Sequence, residues 1–334
     1  MCTAVSFVTK DFYFGRNLDY EYSYEEAVTV MPRNYKQTGR RNHGNRYAMI
    51  GMAYVVEKYP LFYDAVNEKG LGMAGLLFAG NAVYSHEKKL KKDNIATFEL
   101  IPWILGQCAD VEEAKKQLGR IHLTDEAFSE QLSPSPLHWM IADKEKSIVV
   151  EAVAEGLKIY DNPVHVLTNN PTFDFQMMNL NRYMGLSAEE PVNTFAKEAG
   201  LVPYSRGMGA MGLPGDLSST SRFVKAAFTR MNSVCGESEE ESVSQFFHIL
   251  GAVCQQRGCV RIRSDRGKTE KAVTLEAYEK TIYSSCCNAA KGIYYYITYD
   301  NSCITAVDMH KENLDGDSLV TYPIIRKQQV NWQN

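Results

Sequence analysis

Strand-like segments open and close this chain, and its helical segments fall into clusters instead of alternating singly with strands. Segments 2–8, 12–18, 47–56 and 71–77 read as strands. Helical patterns follow at 98–105 and 110–118, the second opening on a capping-box spacing from Asp110 to Glu113. Strands resume at 147–153 and 157–160. A second helical cluster covers about 172–184, 221–233 and 239–254, the last with Val243, Phe246, Phe247 and Leu250 on one face. The chain closes on strands around 277–284, 293–299 and 304–307. This order predicts packed antiparallel or mixed sheets flanked by helical layers, an α+β arrangement, and argues against the singly alternating Rossmann pattern. No Pro/Ser/Gly-rich linker or internal repeat divides the 334 residues, so one domain over 1–334 is expected, long enough to bury a substantial core.

Within the first predicted hairpin lies the residue with the most chemistry. Cys2 directly follows Met1, and loss of Met1 leaves a single residue carrying both a thiol and a free α-amino group. A thiol with a reference pKa of about 8.5 is a weak nucleophile at neutral pH, whereas an α-amine titrates near about 7.7 to 8.0 and can take up its proton. The turn Thr9-Lys10-Asp11 folds 12–18 back beside 2–8, which returns Arg16 and Asp19 to the neighbourhood of Cys2. A guanidinium there favours the thiolate, and a carboxylate can orient the amine. Residues three apart on a regular strand point to opposite faces, so the strand is expected to bend or end near Asp19 if both serve one site. An ordinary surface ion pair is the alternative reading.

Thirty-six basic and 40 acidic residues give a net charge of −4 without a basic stripe, so nucleic acid is not an expected partner. No run of about 18 apolar residues exists, and Asp11 interrupts the place where a secretory signal needs its apolar core; no membrane association and a cytoplasmic location are expected. The eight cysteines are then expected as reduced thiols. Their spacing fits no zinc pattern and no H-E-x-x-H is present, so no metal is expected. Cys286-Cys287 sits in a strand-like stretch as a pair of small apolar residues, with a redox switch as the weaker alternative. Gly207-Met208-Gly209-Ala210-Met211-Gly212 matches G-x-G-x-x-G, but no strand precedes it and Leu213-Pro214-Gly215 follows where a helix should start. It is read as a loop beside a pocket, not a dinucleotide site.

Taken together, Met1-Cys2-Thr3, Gly15-Arg16-Asn17-Leu18-Asp19, Asn67-Glu68-Lys69-Gly70-Leu71-Gly72, Leu137-His138-Trp139, Leu167-Thr168-Asn169-Asn170-Pro171 and Leu213 through Phe223 resemble the choloylglycine hydrolase family. These are the bile salt hydrolases and penicillin V acylases among the N-terminal-nucleophile hydrolases, and the likeness is nearer to the former. The resemblance implies a four-layer αββα fold with two packed antiparallel sheets, no cofactor, and a homo-oligomer, often a tetramer. It implies Cys2 as nucleophile, Arg16 beside the thiol, Asp19 holding the α-amine, Asn169 donating to the oxyanion and Arg222 in the polar network. Read without the family, Asn169 is a turn residue before Pro171 and Arg222 a first-turn helix residue facing solvent.

One position departs from the family: Ala74-Gly75-Leu76-Leu77-Phe78-Ala79 has Leu77 where bile salt hydrolases usually carry Asn. A main-chain N–H at Leu77 still serves an oxyanion hole, while Asn81 is a candidate replacement for the lost side chain. The resemblance also implies an apolar groove from Leu18, Tyr20, Tyr22, Phe128, Leu132 and Leu137, suited to conjugated bile salts carrying glycine or taurine. Tyr204-Ser205-Arg206 is a candidate contact for the acidic end. The competing readings are a penicillin V acylase or other N-acyl amidase or acyltransferase, and a catalytically silent binding homologue.

Overall fold

The structure, a computed structural model, describes residues 1–36, 44–262 and 277–334. Two antiparallel sheets lie face to face. The first has seven strands, in the order Val166–Leu167, Cys2–Val8, Phe12–Tyr20, Ala277–Asn288, Ile293–Thr298 and Asn301–Asp308, with Val260–Ile262 paired to the start of Ala277–Asn288. The second has eight, in the order Gly156–Asp161, Ser147–Val153, Leu137–Ala142, Gly72–Leu77, Tyr59–Asn67, Met49–Val56, Ala27–Met31 and Val320–Pro323. Helices Ser219–Asn232 and Glu239–Gly251 cover the outer face of the first sheet, and Leu100–Gln107 with Val111–Leu118 covers that of the second. The layering is therefore αββα, an α+β fold.

Double-sided burial explains the sequence of the central strands. Cys2–Val8 is buried at all but its last residue because one face meets the second sheet and the other the helices, so it lacks the apolar–polar alternation of a half-exposed strand. The expected hairpin forms in the expected register, with Cys2 opposite Leu18 and Ala4 opposite Arg16. Gly15 permits the close approach of the next strand: a Cβ there would lie 2.0 Å from the Ser285 carbonyl oxygen.

Several expected strands run further than their local pattern indicated. The segment around 277–284 extends to Asn288 and buries Cys286 and Cys287 completely. Ala27–Met31, Tyr59–Asn67 and Leu137–Ala142 were not expected as strands; the last mixes His138 and Trp139 into apolar residues buried on both faces, which erases any period of two. The Asp110 side chain accepts from the Glu113 N–H at 2.8 Å as the capping spacing predicts, but Glu113 Oε2 accepts from Ala109, not from Asp110. Met208–Ala210 forms one 3₁₀ turn in the glycine-rich loop, with no strand before it. No helix among the described residues is long and apolar enough to cross a membrane.

Candidate active site

The register of the hairpin decides which side of the sheet each group occupies. Cys2, Ala4, Arg16 and Leu18 share the face toward the second sheet; Thr3, Asn17 and Asp19 share the face toward the helices. Arg16 accordingly reaches across the inter-sheet space, where its Nη1 donates to the carbonyl oxygen of Tyr63 at 2.9 Å and to that of Gly75. Asp19 points the other way, its Oδ1 accepting from Thr281 Oγ1 at 2.6 Å and its Oδ2 lying 3.8 Å from Arg222 Nη1. The strand ends at Tyr20, one residue beyond Asp19, as the expectation of an end near Asp19 has it. The irregularity falls on the partner strand, where Thr281 pairs with Asp19 and Tyr283 with Leu18, leaving Ile282 as the extra residue of a bulge. Arg16 and Asp19 thus reach the end of the first strand from opposite faces.

Around the Cys2 backbone the side chains predicted from distant segments converge. The Cys2 N–H donates to Asn169 Oδ1 at 2.7 Å. Arg222 donates through Nη1 to the Cys2 carbonyl at 2.6 Å and to Thr3 Oγ1 at 2.7 Å, and through Nη2 to Asn169 Oδ1 at 2.8 Å. Asn169 in turn donates from Nδ2 to the Leu77 carbonyl at 2.7 Å, while Ser219 Oγ accepts from its backbone N–H at 2.8 Å. Arg222 is 1% exposed and Asn169 3%, so neither the solvent-facing helix residue nor the simple turn residue describes them. Both are backed into place by the helix Ser219–Asn232, whose first turn begins where Ser218 caps the backbone N–H of Ser221.

Burial dominates the electrostatics. Desolvation raises the Asp19 pKa, against the attraction of Arg222, the chain's amino terminus and the Thr281 hydrogen bond. Desolvation lowers that of Arg222, opposed chiefly by Asp19 and then Cys2. For Arg16 desolvation also acts downward, but attraction to Cys2, Tyr283, Asp64 and Asp19 together outweighs it and the guanidinium is held firmly charged. Asp64 carries no local sign of a site role beyond being an acid in an apolar strand. It lies buried between the sheets, accepting from Tyr283 and Tyr294 hydroxyls at 2.7 Å each and from Ser285 Oγ at 3.1 Å. Its pKa is raised by burial, with Arg16 as the first opposing influence.

Met1 is present, its α-ammonium donating to the Asp19 carbonyl at 2.7 Å and pairing with Glu279, another residue the sequence gave no reason to single out. Met1 and Cys2 open onto a pocket whose wall includes Arg16, Leu18, Asp19 and Tyr20 at one end and Leu77, Phe128, Leu132 and Leu137 along its sides. Six of the eight predicted binding residues therefore line it. Tyr22 does not: it is 53% exposed beyond the end of the strand, its ring set edge-on against Tyr20 at 5.2 Å, and Tyr24 and Tyr54 take the wall instead. Asn81 does not either, because the chain turns after Phe78, whose carbonyl accepts from the N–H of Asn81 and of Ala82. Tyr204, Ser205 and Arg206 are exposed and do not line the pocket, nor does the glycine-rich loop that follows them, which is half-buried at 208–210.

Comparison with known proteins adds the chemistry of relatives. The profile of linear amide C–N hydrolases of the choloylglycine hydrolase family matches residues 2–322. A bile salt hydrolase/transferase of Lactiplantibacillus plantarum is 55% identical over 328 residues, covering 97% of each chain. Another of that name from Clostridium perfringens is 39% identical over 340 residues, covering 100% of both. Among solved structures, a conjugated bile acid hydrolase from Clostridium perfringens aligns with a TM-score of 0.87 at 38% identity and full coverage of both chains. A penicillin V acylase from Agrobacterium tumefaciens aligns at 0.67 and 19% identity over 96% of this chain and 90% of its own, a likeness of fold.

Proposed function

Because this chain belongs to the choloylglycine hydrolase family of linear amide C–N hydrolases, we propose that it hydrolyses glycine- or taurine-conjugated bile acids through a thioester on Cys2. The observation that carries the reading is the convergence of Asn169 and Arg222 on the backbone of Cys2, with the thiol face toward Arg16 and an apolar pocket. Loss of Met1 converts the Cys2 N–H into an α-amine beside Asn169 Oδ1 and Asp19. That amine accepts the thiol proton, and Sγ attacks the amide carbonyl carbon. Asn169 Nδ2 and the Leu77 N–H then serve the oxyanion, each donor of this kind contributing about 10²–10³ in rate. The α-ammonium returns its proton to the departing nitrogen, the C–N bond breaks, and glycine or taurine leaves. Water attacks the remaining thioester with the amine as base, releasing the free acid and the thiol.

The names hydrolase/transferase carried by the relatives support a second outcome from the same intermediate, in which an amine replaces water. The reading further takes the chain as one domain, acting in the cytoplasm as a homo-oligomer, a tetramer by resemblance. Exposed apolar side chains on the excursion that follows the short helix Phe173–Leu180, Met184, Val192, Phe195 and Val202 among them, support self-association. Intact mass together with measured release of glycine and taurine tests the reading, with Cys2→Ala as control. Release by protein lacking Met1 that vanishes in the control is the expected result; a fully processed protein that binds the conjugates without cleaving them overturns it.

A further inference from the structure

His138 is an imidazole buried in the inter-sheet wall, 0% exposed, on a strand whose inward neighbour Met140 is apolar. Burying such a group costs stability unless its ring nitrogens are satisfied, and both are. Nε2 lies 2.9 Å from the Thr168 carbonyl oxygen and Nδ1 lies 3.0 Å from Glu151 Oε1. A carbonyl oxygen only accepts, so Nε2 carries a hydrogen; a second proton lies between Nδ1 and Oε1, since two lone pairs would otherwise face each other. Glu151 Oε1 also accepts from the Phe173 N–H at 3.0 Å, and Glu151 too is fully buried. The imidazole face is stacked on Phe78, centroids 4.3 Å apart and planes 8° from parallel.

These contacts close a ring. His138 holds Thr168, whose neighbour Asn169 donates to the carbonyl of Leu77, whose neighbour Phe78 stacks back on His138. The two groups at the heart of that ring are the ones assigned above to the oxyanion. They sit on different sheets' segments: Leu77 ends a strand of the second sheet, and Asn169 follows the edge strand of the first. The segments meet directly through the bond from Asn169 to the Leu77 carbonyl and one from Asn170 Nδ2 to the Ala79 carbonyl at 2.7 Å, and His138 backs this junction from behind.

We propose that His138, anchored by Glu151, is a positioning residue that sets Asn169 and Leu77 at the mutual distance the oxyanion requires. This rests on the reading of those two residues as the oxyanion donors. The effect acts through geometry alone: His138 does not border the pocket. A misplacement of about 1 Å in a reacting constellation costs on the order of 10²-fold in rate, so loss of the imidazole lowers kcat by about 10- to 100-fold with KM nearly unchanged.

The test compares two reactions of the same thiol. Alkylation of Cys2 by iodoacetamide is a displacement at saturated carbon and generates no oxyanion, whereas acylation by a conjugated bile salt does. In His138→Gln, where one amide replaces two ring donors, kcat and the acylation rate are expected to fall about 10- to 100-fold while alkylation stays within about threefold. Phe78→Leu removes only the stack and is expected to lower kcat several-fold with alkylation again preserved, which keeps the proposal exposed should the first variant fail to fold. Unchanged kcat in the folded variants, or alkylation falling in step with kcat, overturns it. A processed wild-type protein that forms no thioester overturns the reading of Cys2 and this inference with it; wild-type turnover with unaffected variants overturns this inference alone.

Discussion

Asn169→Asp separates the hydrogen bonds this side chain makes from the oxyanion role proposed for it. Its Oδ1 accepts from the Cys2 N–H at 2.7 Å and from Arg222 Nη2 at 2.8 Å, and aspartate keeps that oxygen in place. Its Nδ2, which donates to Leu77 O at 2.7 Å, becomes an oxygen that can donate nothing. Losing an oxyanion donor costs about 10²–10³ in kcat, roughly 2.7 to 4 kcal/mol. The new carboxylate also faces the charge that builds on the substrate oxygen; at about 3 Å and an effective dielectric near 20 that repulsion is on the order of 5 kcal/mol. The two effects together place kcat at least about 10³-fold below wild type. The new carboxylate oxygen faces the Leu77 carbonyl where Nδ2 donated, which costs stability, and the buried guanidinium of Arg222 gains a carboxylate neighbour that offsets part of it. Asn169→Ala is a poorer probe, since it leaves Arg222 Nη2 and the Cys2 nitrogen without their shared acceptor. Amino-acid release gives kcat, thermal unfolding gives stability, and iodoacetamide reports whether the thiol is intact. An aspartate variant that folds, alkylates normally and turns over within about threefold of wild type would falsify the assignment of Asn169 to the oxyanion.

A short peptide extension before Met1 is expected to abolish turnover while a tag after Asn334, in an exposed tail, leaves it intact; equal activity of the two tagged forms contradicts a role for the Cys2 α-amine. Leu77→Asn keeps the main-chain N–H and changes only the pocket wall, so the ratio of glycine to taurine release is expected to shift at least twofold while the better substrate keeps its kcat within about threefold; a general loss of kcat instead places the Leu77 side chain in the chemistry. For Glu68, burial pushes the pKa up, but the hydrogen bonds from Arg33 at Nε and Nη2 and from the Ala48 N–H win, and the pKa is lowered. A carboxylate lowered on folding contributes stability that is present above its unfolded pKa of about 4.3 and is lost as pH falls through the folded value. The melting temperature of Glu68→Gln is therefore expected to lie below wild type at pH 7 and to approach it below about pH 4; a gap that stays constant with pH rules out the linkage.

How much of this was legible depended on the range of the interaction. The hairpin of Cys2–Val8 and Phe12–Tyr20 is local, its turn chemistry is in the sequence, and its register follows, which is why Arg16 and Asp19 were placed beside Cys2 from residues alone. The face each would occupy was also implied by the period of two; the error lay in supposing that one site requires one face. Asn169 and Arg222 came only through family likeness, because their partners lie 167 and 220 residues away and no local pattern encodes that pairing. Asp64 and Glu279 escaped for the same reason, each being an unremarked acid until the strand order brings it to Arg16 or to the amino terminus. Tyr22 and Asn81 fall outside the pocket wall at chain reversals, where the direction of a side chain depends on dihedral angles that composition does not fix.

The two faces of the first sheet divide the chemistry between them. On the inner face the thiol has Arg16, whose charge is answered between the sheets by Asp64. On the outer face the Cys2 nitrogen has Asn169, held by Arg222, whose charge is answered by Asp19. Arg222 thus has an ion pair with a buried carboxylate, whereas Arg16 is held by two carbonyl oxygens, with Asp64 and Asp19 both attracting its charge. Asp19 itself is held on both oxygens' sides: Oδ1 accepts from Thr281 Oγ1, and Oδ2 lies 3.8 Å from Arg222 Nη1. In the proposed chemistry, loss of Met1 places an α-amine where Asn169 Oδ1 already accepts from the Cys2 nitrogen and beside this Asp19–Arg222 pair, so the base would form inside a polar network that the fold has built without it.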